Sequence, residues 1–268
     1  MLRMIDVNGV RFQVADEGIG PVILFAHGFP LDHTMWAAQI AEFSKTHRVI
    51  VPDLRGFGGT DGTLYAVSMQ QFADDVADLL VALQADRPIT FCGLSMGGYV
   101  GWQFALRHPQ WLDRLILCDT RAAADSPEAA NNRLKMADIV TKEGPEPVAW
   151  AMMPKLFWSI TNVRQPELPK QVRQTVMNTN PMAIAAAHRG MAVRPDVTEL
   201  LPSFRFPTLV ICGEHDAISP PTEMKAFADA MPNAKFVAIP EAGHMAPMEN
   251  PTAVNKAIRD FLNAKSRI

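Results

Sequence analysis

From residue 4 to residue 15 apolar and polar side chains alternate about Asn8-Gly9. A period of two marks a strand with one wet and one dry face, and Asn-Gly suits the two left-handed positions of a type I′ turn, so this pattern predicts an antiparallel hairpin. Beyond it the pattern changes to short, mostly apolar, strand-like runs at 22–26, 48–51, 89–94, 115–118, 208–212 and 235–239. Runs of this kind read as strands buried on both faces. Helical spacing falls between them. Ser68-Met69-Gln70-Gln71 is a capping box ahead of the stripe Phe72, Val76, Leu79, Leu80 and Leu83, and Asn250-Pro251 opens a last helix with Val254, Ile258, Phe261 and Leu262 facing inward. The chain is therefore expected to be α/β: a mostly parallel central sheet with an N-terminal antiparallel hairpin and helices on both faces.

The alternation lapses between 121 and 200. That stretch has no clear strand, is interrupted by eight prolines from Pro127 to Pro195, and carries six of the fifteen methionines together with Trp150 and Trp158. It is expected to be a helical cap inserted into one domain, with residues 1–120 and 201–268 forming the core. Methionine and tryptophan adapt to apolar ligands, so Trp150 and Trp158 are candidate substrate-binding residues.

Composition narrows the partners. With 268 residues, 48% hydrophobic, 20% charged and a net charge of −3, the chain reads as globular, without the basic footprint of a nucleic-acid or anionic-membrane binder. A small molecule is the expected partner, with a homo-oligomer allowed. The N-terminus lacks a signal-peptide pattern and no apolar run approaches a membrane span, which predicts a cytoplasmic protein. Cys92, Cys118 and Cys212 each fall near the end of an apolar run and read as small buried thiols rather than as a zinc site or a disulfide.

The candidate chemistry centres on Gly93-Leu94-Ser95-Met96-Gly97-Gly98, set between a strand-like and a helix-like run. This is the G-x-S-x-G elbow in a strand-turn-helix context, a sharp turn that lifts a serine hydroxyl off the end of a sheet. The two backbones pass so closely that positions 93 and 97 have no room for a side chain. A serine hydroxyl needs a base to take its proton, and the base needs an acid to orient it. In a parallel sheet both should come from loops at the C-terminal ends of strands. Asp216, in Gly213-Glu214-His215-Asp216, is the expected acid, with Asp119 at the end of the preceding strand as its competitor. His244, in Gly243-His244 after the last strand, is the expected base, while His33, His47, His108, His188 and His215 read as ordinary surface residues. The order Ser, Asp, His results. Backbone N–H groups of Met96 and Phe29 are the expected oxyanion donors; Pro30 has none to give, and His27 reads as a structural residue of its loop.

Taken together, His27-Gly28-Phe29-Pro30, Asp53-Leu54-Arg55-Gly56-Phe57-Gly58, the elbow, the turn at 213–216 and Gly243-His244 resemble the α/β-hydrolase fold superfamily. Within it the core is similar to 3-oxoadipate enol-lactonases and to cofactor-free haloperoxidase or perhydrolase esterases. The resemblance implies a serine hydrolase of a carboxylic ester or lactone that uses no metal and no organic cofactor. A carbon-carbon hydrolase of meta-cleavage products, and from another class a ligand-binding receptor with a retained triad, are the alternatives. Serine at 95 rather than aspartate points away from dehalogenase and epoxide-hydrolase relatives. Arg121, just beyond Asp119, is a candidate ligand for a substrate carboxylate.

Overall fold

Asn8 and Gly9 adopt φ of 51° and 78°, the left-handed pair that a two-residue hairpin turn requires. They join β1 (Leu2–Val7) to β2 (Val10–Glu17) with Val7 opposite Val10. The structure is a computed structural model, and it describes residues 1–62 and 65–264. The hairpin continues into a sheet through an antiparallel pairing of β2 with β4 (Arg48–Pro52). The other strands are parallel: β3 (Val22–Ala26), β5 (Ile89–Leu94), β6 (Leu112–Cys118), β7 (Thr208–Gly213) and β8 (Ala234–Ile239). The spatial order is β1-β2-β4-β3-β5-β6-β7-β8. Each apolar run of the sequence lies within one of these strands. β6 starts earlier than its run because Leu112-Asp113-Arg114 pairs with β5 while Asp113 stays exposed, so a scan for continuous apolar residues passes over it.

Helices flank the sheet. They are α1 (Ala37–Phe43), α2 (Met69–Ala82) and α3 (Met96–Arg107) before the insertion, and α9 (Pro221–Asp229), α10 (Ala246–Glu249) and α11 (Pro251–Asn263) after it. Ser68 accepts from Gln71 N–H at 3.1 Å and caps α2, while the Gln71 side-chain amide donates forward to Asp75 at 2.9 Å. Only half of the predicted capping box forms among the described residues: the Gln71 side chain is turned to Asp75, and its oxygen does not accept from Ser68 N–H. Asn250 caps α11 as expected, accepting from Ala253 N–H at 3.1 Å.

Between β6 and β7 run α4 (Pro127–Glu143), α5 (Glu146–Leu156), α6 (Thr161–Arg164), α7 (Glu167–Asn178) and α8 (Pro181–Ala192). Pro127 and Pro181 occupy first helical positions, where the missing N–H is not needed, so these prolines begin helices rather than break them. α4 packs on α8, and α5 on α4 and α7. α8 is the element that ties the insertion down. Residues 183–191 are all buried, Val67 N–H donates to Ala186 O at 3.2 Å, and a Cβ at Gly190 would lie 1.8 Å from Val67 O. Among the described residues no helix is long and apolar enough to cross a membrane.

Candidate active site

Ser95 ends β5 and begins α3 with φ 53° and ψ −111°, a conformation that side-chain-bearing residues rarely adopt. Its backbone is held on both sides: Ser95 N–H donates to Cys118 O at 2.9 Å, and Thr120 Oγ1 donates to Ser95 O at 2.7 Å. The glycines are required by contact. A Cβ at Gly93 would stand 2.2 Å from Gly97 O, and one at Gly97 would stand 2.2 Å from Ala26 O. Strain at Ser95 is thus fixed by packing around it, and it turns the hydroxyl toward the space above the strand ends.

Asp216 and His244 meet in that space. His244 Nδ1 lies 2.9 Å from Asp216 Oδ2, and both side chains are almost fully buried. Asp216 Oδ1 accepts from the N–H groups of Ile218 at 2.7 Å and Ser219 at 2.9 Å. The turns that carry the pair are locked together, since a Cβ at Gly213 would lie 2.0 Å from Gly243 O. Donation from Nδ1 to the carboxylate leaves Nε2 as the imidazole's lone pair. Ser95 Oγ makes no hydrogen bond among the described residues, but Ser95 and His244 line one cavity. Such contacts are commonly loose before substrate is bound.

The loop after β3 is pinned by His27, which is fully buried. Its Nε2 accepts from Leu54 N–H at 2.9 Å and its Nδ1 lies 2.9 Å from Gly28 O, so the ring is neutral and structural, and burial holds its pKa below the ordinary histidine value. The N–H groups of Phe29 and Met96 donate to nothing among the described residues. Phe29 lines the same cavity as Ser95, and Met96 follows Ser95 at the start of α3.

The cavity has a volume of about 380 Å³. Phe29, Ser95, Tyr99, Ile218 and His244 line it from the core, and Arg121, Arg133, Met152, Lys155, His188 and Met191 from the stretch between β6 and β7. Arg121 is therefore at the cavity, but its Nη2 already donates to Ile218 O at 2.6 Å and lies 3.2 Å from Glu223. The two tryptophans are not brought there. Trp150 is 73% exposed on α5, and Trp158 stacks flat on His215 with ring centroids 4.7 Å apart, its backbone N–H donating to Glu249. Helix phase decides this: on α5 it is Ala151 and Met152, not Trp150, that face the cavity. His188 corrects the opposite way. It is not a surface histidine but lies 7% exposed on α8, at the cavity. The signal available in the sequence was its setting in Ala183-Ile184-Ala185-Ala186-Ala187-His188, a helix apolar on every side and hence buried.

Asp119 sits behind the pair. Its Oδ1 accepts from Gly213 N–H at 2.8 Å, and its Oδ2 has no hydrogen-bond partner among the described residues. Burial, and then the charge of Asp216, push its carboxyl well above the usual range, toward the protonated form. Asp119, Cys212 and Asp216 offer atoms within 4.8 Å of one another. They do not fit a cation: burial pushes the Cys212 thiol up as well, and the Asp216 oxygens are already bonded to His244 and two N–H groups.

Known proteins share this arrangement of chain. A thermophilic esterase from Thermogutta terrifontis, solved with malate bound, is 46% identical over 98% of both chains, with a TM-score of 0.94. The enol-lactonase from Burkholderia xenovorans LB400 is 30% identical, covers 98% of this chain and 100% of that one, and gives a TM-score of 0.91. By sequence, 3-oxoadipate enol-lactonase 2 of Acinetobacter baylyi is 27% identical over 252 residues, 94% of this chain and 91% of its own. The family model described as alpha/beta hydrolase fold matches residues 21–251. With its eight-stranded sheet, elbow and matched length, the chain belongs to the α/β-hydrolase fold family.

Proposed function

We propose that the protein is a serine hydrolase that cleaves a carboxylic ester or lactone of a small molecule through an acyl-enzyme, with Ser95, His244 and Asp216 as nucleophile, base and orienting acid. The observation that carries this reading is the buried His244–Asp216 contact of 2.9 Å at the same cavity as the strained Ser95. His244 Nε2 takes the Ser95 proton as Oγ bonds to the acyl carbon, and the oxyanion is received by the N–H groups of Phe29 and Met96. Collapse breaks the bond to the leaving oxygen, which receives that proton from His244. Water, deprotonated by the same nitrogen, then releases the acid and restores Ser95. Similarity to proteins named as an esterase and enol-lactonases supports an acyl carbon as the target. In this reading the core is residues 1–120 and 201–268, and residues 121–200 are the cap that selects the acyl group without supplying the chemistry.

The test is a fluorophosphonate probe together with a panel of esters, lactones and vinylogous diketones. Labelling of Ser95 and loss of label and turnover in Ser95→Ala, with a fall in kcat on the order of 10⁶, is the expected result. Labelling of another serine would overturn the assignment. Turnover of the diketones alone would move the reading to carbon-carbon hydrolysis.

A further inference from the structure

His188 is a buried side chain with no hydrogen-bond partner among the described residues. Neither Nδ1 nor Nε2 makes a hydrogen bond among the described residues, although the residue is only 7% exposed. Buried polar atoms are nearly always satisfied, and an imidazole used only to fill space would be better replaced by leucine or methionine. Its surroundings give no internal acceptor or donor. Phe29 meets the ring edge to face with centroids 4.6 Å apart, and the neighbouring Arg133 guanidinium is turned to Asp125 and Met191. Burial, then the charge of Arg133, push the pKa down to about 3, so the ring is neutral at physiological pH. It offers one N–H and one lone pair, but no charge.

The position of the ring is specific. His188 lines the cavity that holds Ser95 and also a second, more apolar cavity of about 290 Å³ next to it. The two share Ala129, Arg133, Ala151, Met152 and His188, and the second adds Asn132, Met136 and Val148. His188 thus lies on the boundary between the cavity of Ser95 and the second compartment.

Resting on the acyl-transfer reading above, we propose that His188 is a specificity-determining residue that hydrogen-bonds an uncharged hydroxyl or ketone oxygen on the acyl chain of the substrate, with the apolar end of that chain beyond it. A hydroxyl accepts from the ring N–H or donates to its lone pair, and a ketone accepts the N–H. Either satisfies an atom that the folded protein leaves unpaired, so the preference arises from what an unsubstituted chain fails to do.

The experiment compares ethyl pentanoate with ethyl 3-hydroxypentanoate and ethyl 4-oxopentanoate, followed by acid release, in the parent, His188→Leu and His188→Asn. In the parent, kcat/KM is expected to favour at least one oxygenated ester. In His188→Leu the ratio of oxygenated to plain ester should fall by about tenfold or more, and His188→Asn should restore part of it. A ratio within one preparation is insensitive to partial misfolding, and thermal melting of each variant controls for the rest. An unchanged ratio in both variants overturns the proposal, whether because a buried water satisfies the ring or because the chain takes another path, and leaves the hydrolase reading intact. If the parent hydrolyses no ester or lactone in the wider panel, the hydrolase reading itself fails, and the proposal fails with it.

Discussion

His244 Nδ1 and Asp216 Oδ2 stand 2.9 Å apart, and the other oxygen of that carboxylate is fixed by the N–H groups of Ile218 and Ser219. Both sides of Asp216 are thereby occupied, so the acid cannot rotate away from the imidazole. Replacing it by asparagine keeps the shape but presents an amide in place of an acceptor. Asp216→Asn is expected to lower kcat on the order of 10⁴. Asp119→Asn, in which the amide oxygen can still accept from Gly213 N–H, should lose under about tenfold. Steady-state rates on one ester decide it, and the reverse ranking would transfer the acid role to Asp119.

Asp119 also makes a pH prediction. Its folded carboxyl keeps its proton well above the ordinary value, raised by burial and by Asp216. Above about pH 4 the unfolded carboxyl releases its proton while the folded one does not, so the unfolded state binds fewer protons and stability falls with rising pH. Asp119→Asn removes that penalty. Its melting temperature should exceed the parent's at about pH 8, with the gap closing toward about pH 4. A constant gap across that range would mean that Asp119 is ionised in the fold.

The elbow should tolerate no side chain. A Cβ at Gly97 would come 2.2 Å from Ala26 O, a backbone atom inside the sheet that cannot move aside. Gly97→Ala is expected to destabilise by about 3 kcal/mol or more, or to prevent folding. Urea unfolding measures it. Gly144→Ala, which meets nothing within 4 Å but sits at φ 80°, should cost less.

Specificity for charge and for chain length should separate by residue. Arg121→Ala is expected to raise KM for anionic substrates while sparing neutral esters, since Arg121 lines the cavity besides contacting Ile218 and Glu223. Equal losses for both substrate types would make it structural. Met152→Ala should change the preference among apolar acyl groups, whereas Trp150→Ala should not, because the exposed indole does not reach the cavity.

Strand positions were legible in the sequence because they depend on local pattern. Five of the six runs mark strands buried on both faces, the sixth the half-exposed edge strand β8, and Asn8-Gly9 encodes a turn in its own backbone preferences. Ser95 was legible for the same reason: its neighbours Gly93 and Gly97 record the close approach of two backbones. Where the pattern was local but incomplete, the reading fell short, as at Leu112-Asp113-Arg114, where a polar strand start carries no apolar signal.

What the sequence determined by itself was thus the order of elements and the residue types that could carry chemistry, since spacing, turn residues and glycines act within a few positions of the chain. The tertiary structure decided which side chains share a cavity. Asp216 and His244 lie 28 positions apart and meet only because β7 and β8 are neighbours. Trp150 and His188 lie on helices of the insertion, where a rotation of about 100° per residue separates a wet face from a buried one. The phase of α5 against the core puts Met152 inward and Trp150 in water, and the packing of α8 on α4 and the core sets His188 at the cavity, whereas its apolar neighbours Ala183 to Ala187 signal only that it is buried.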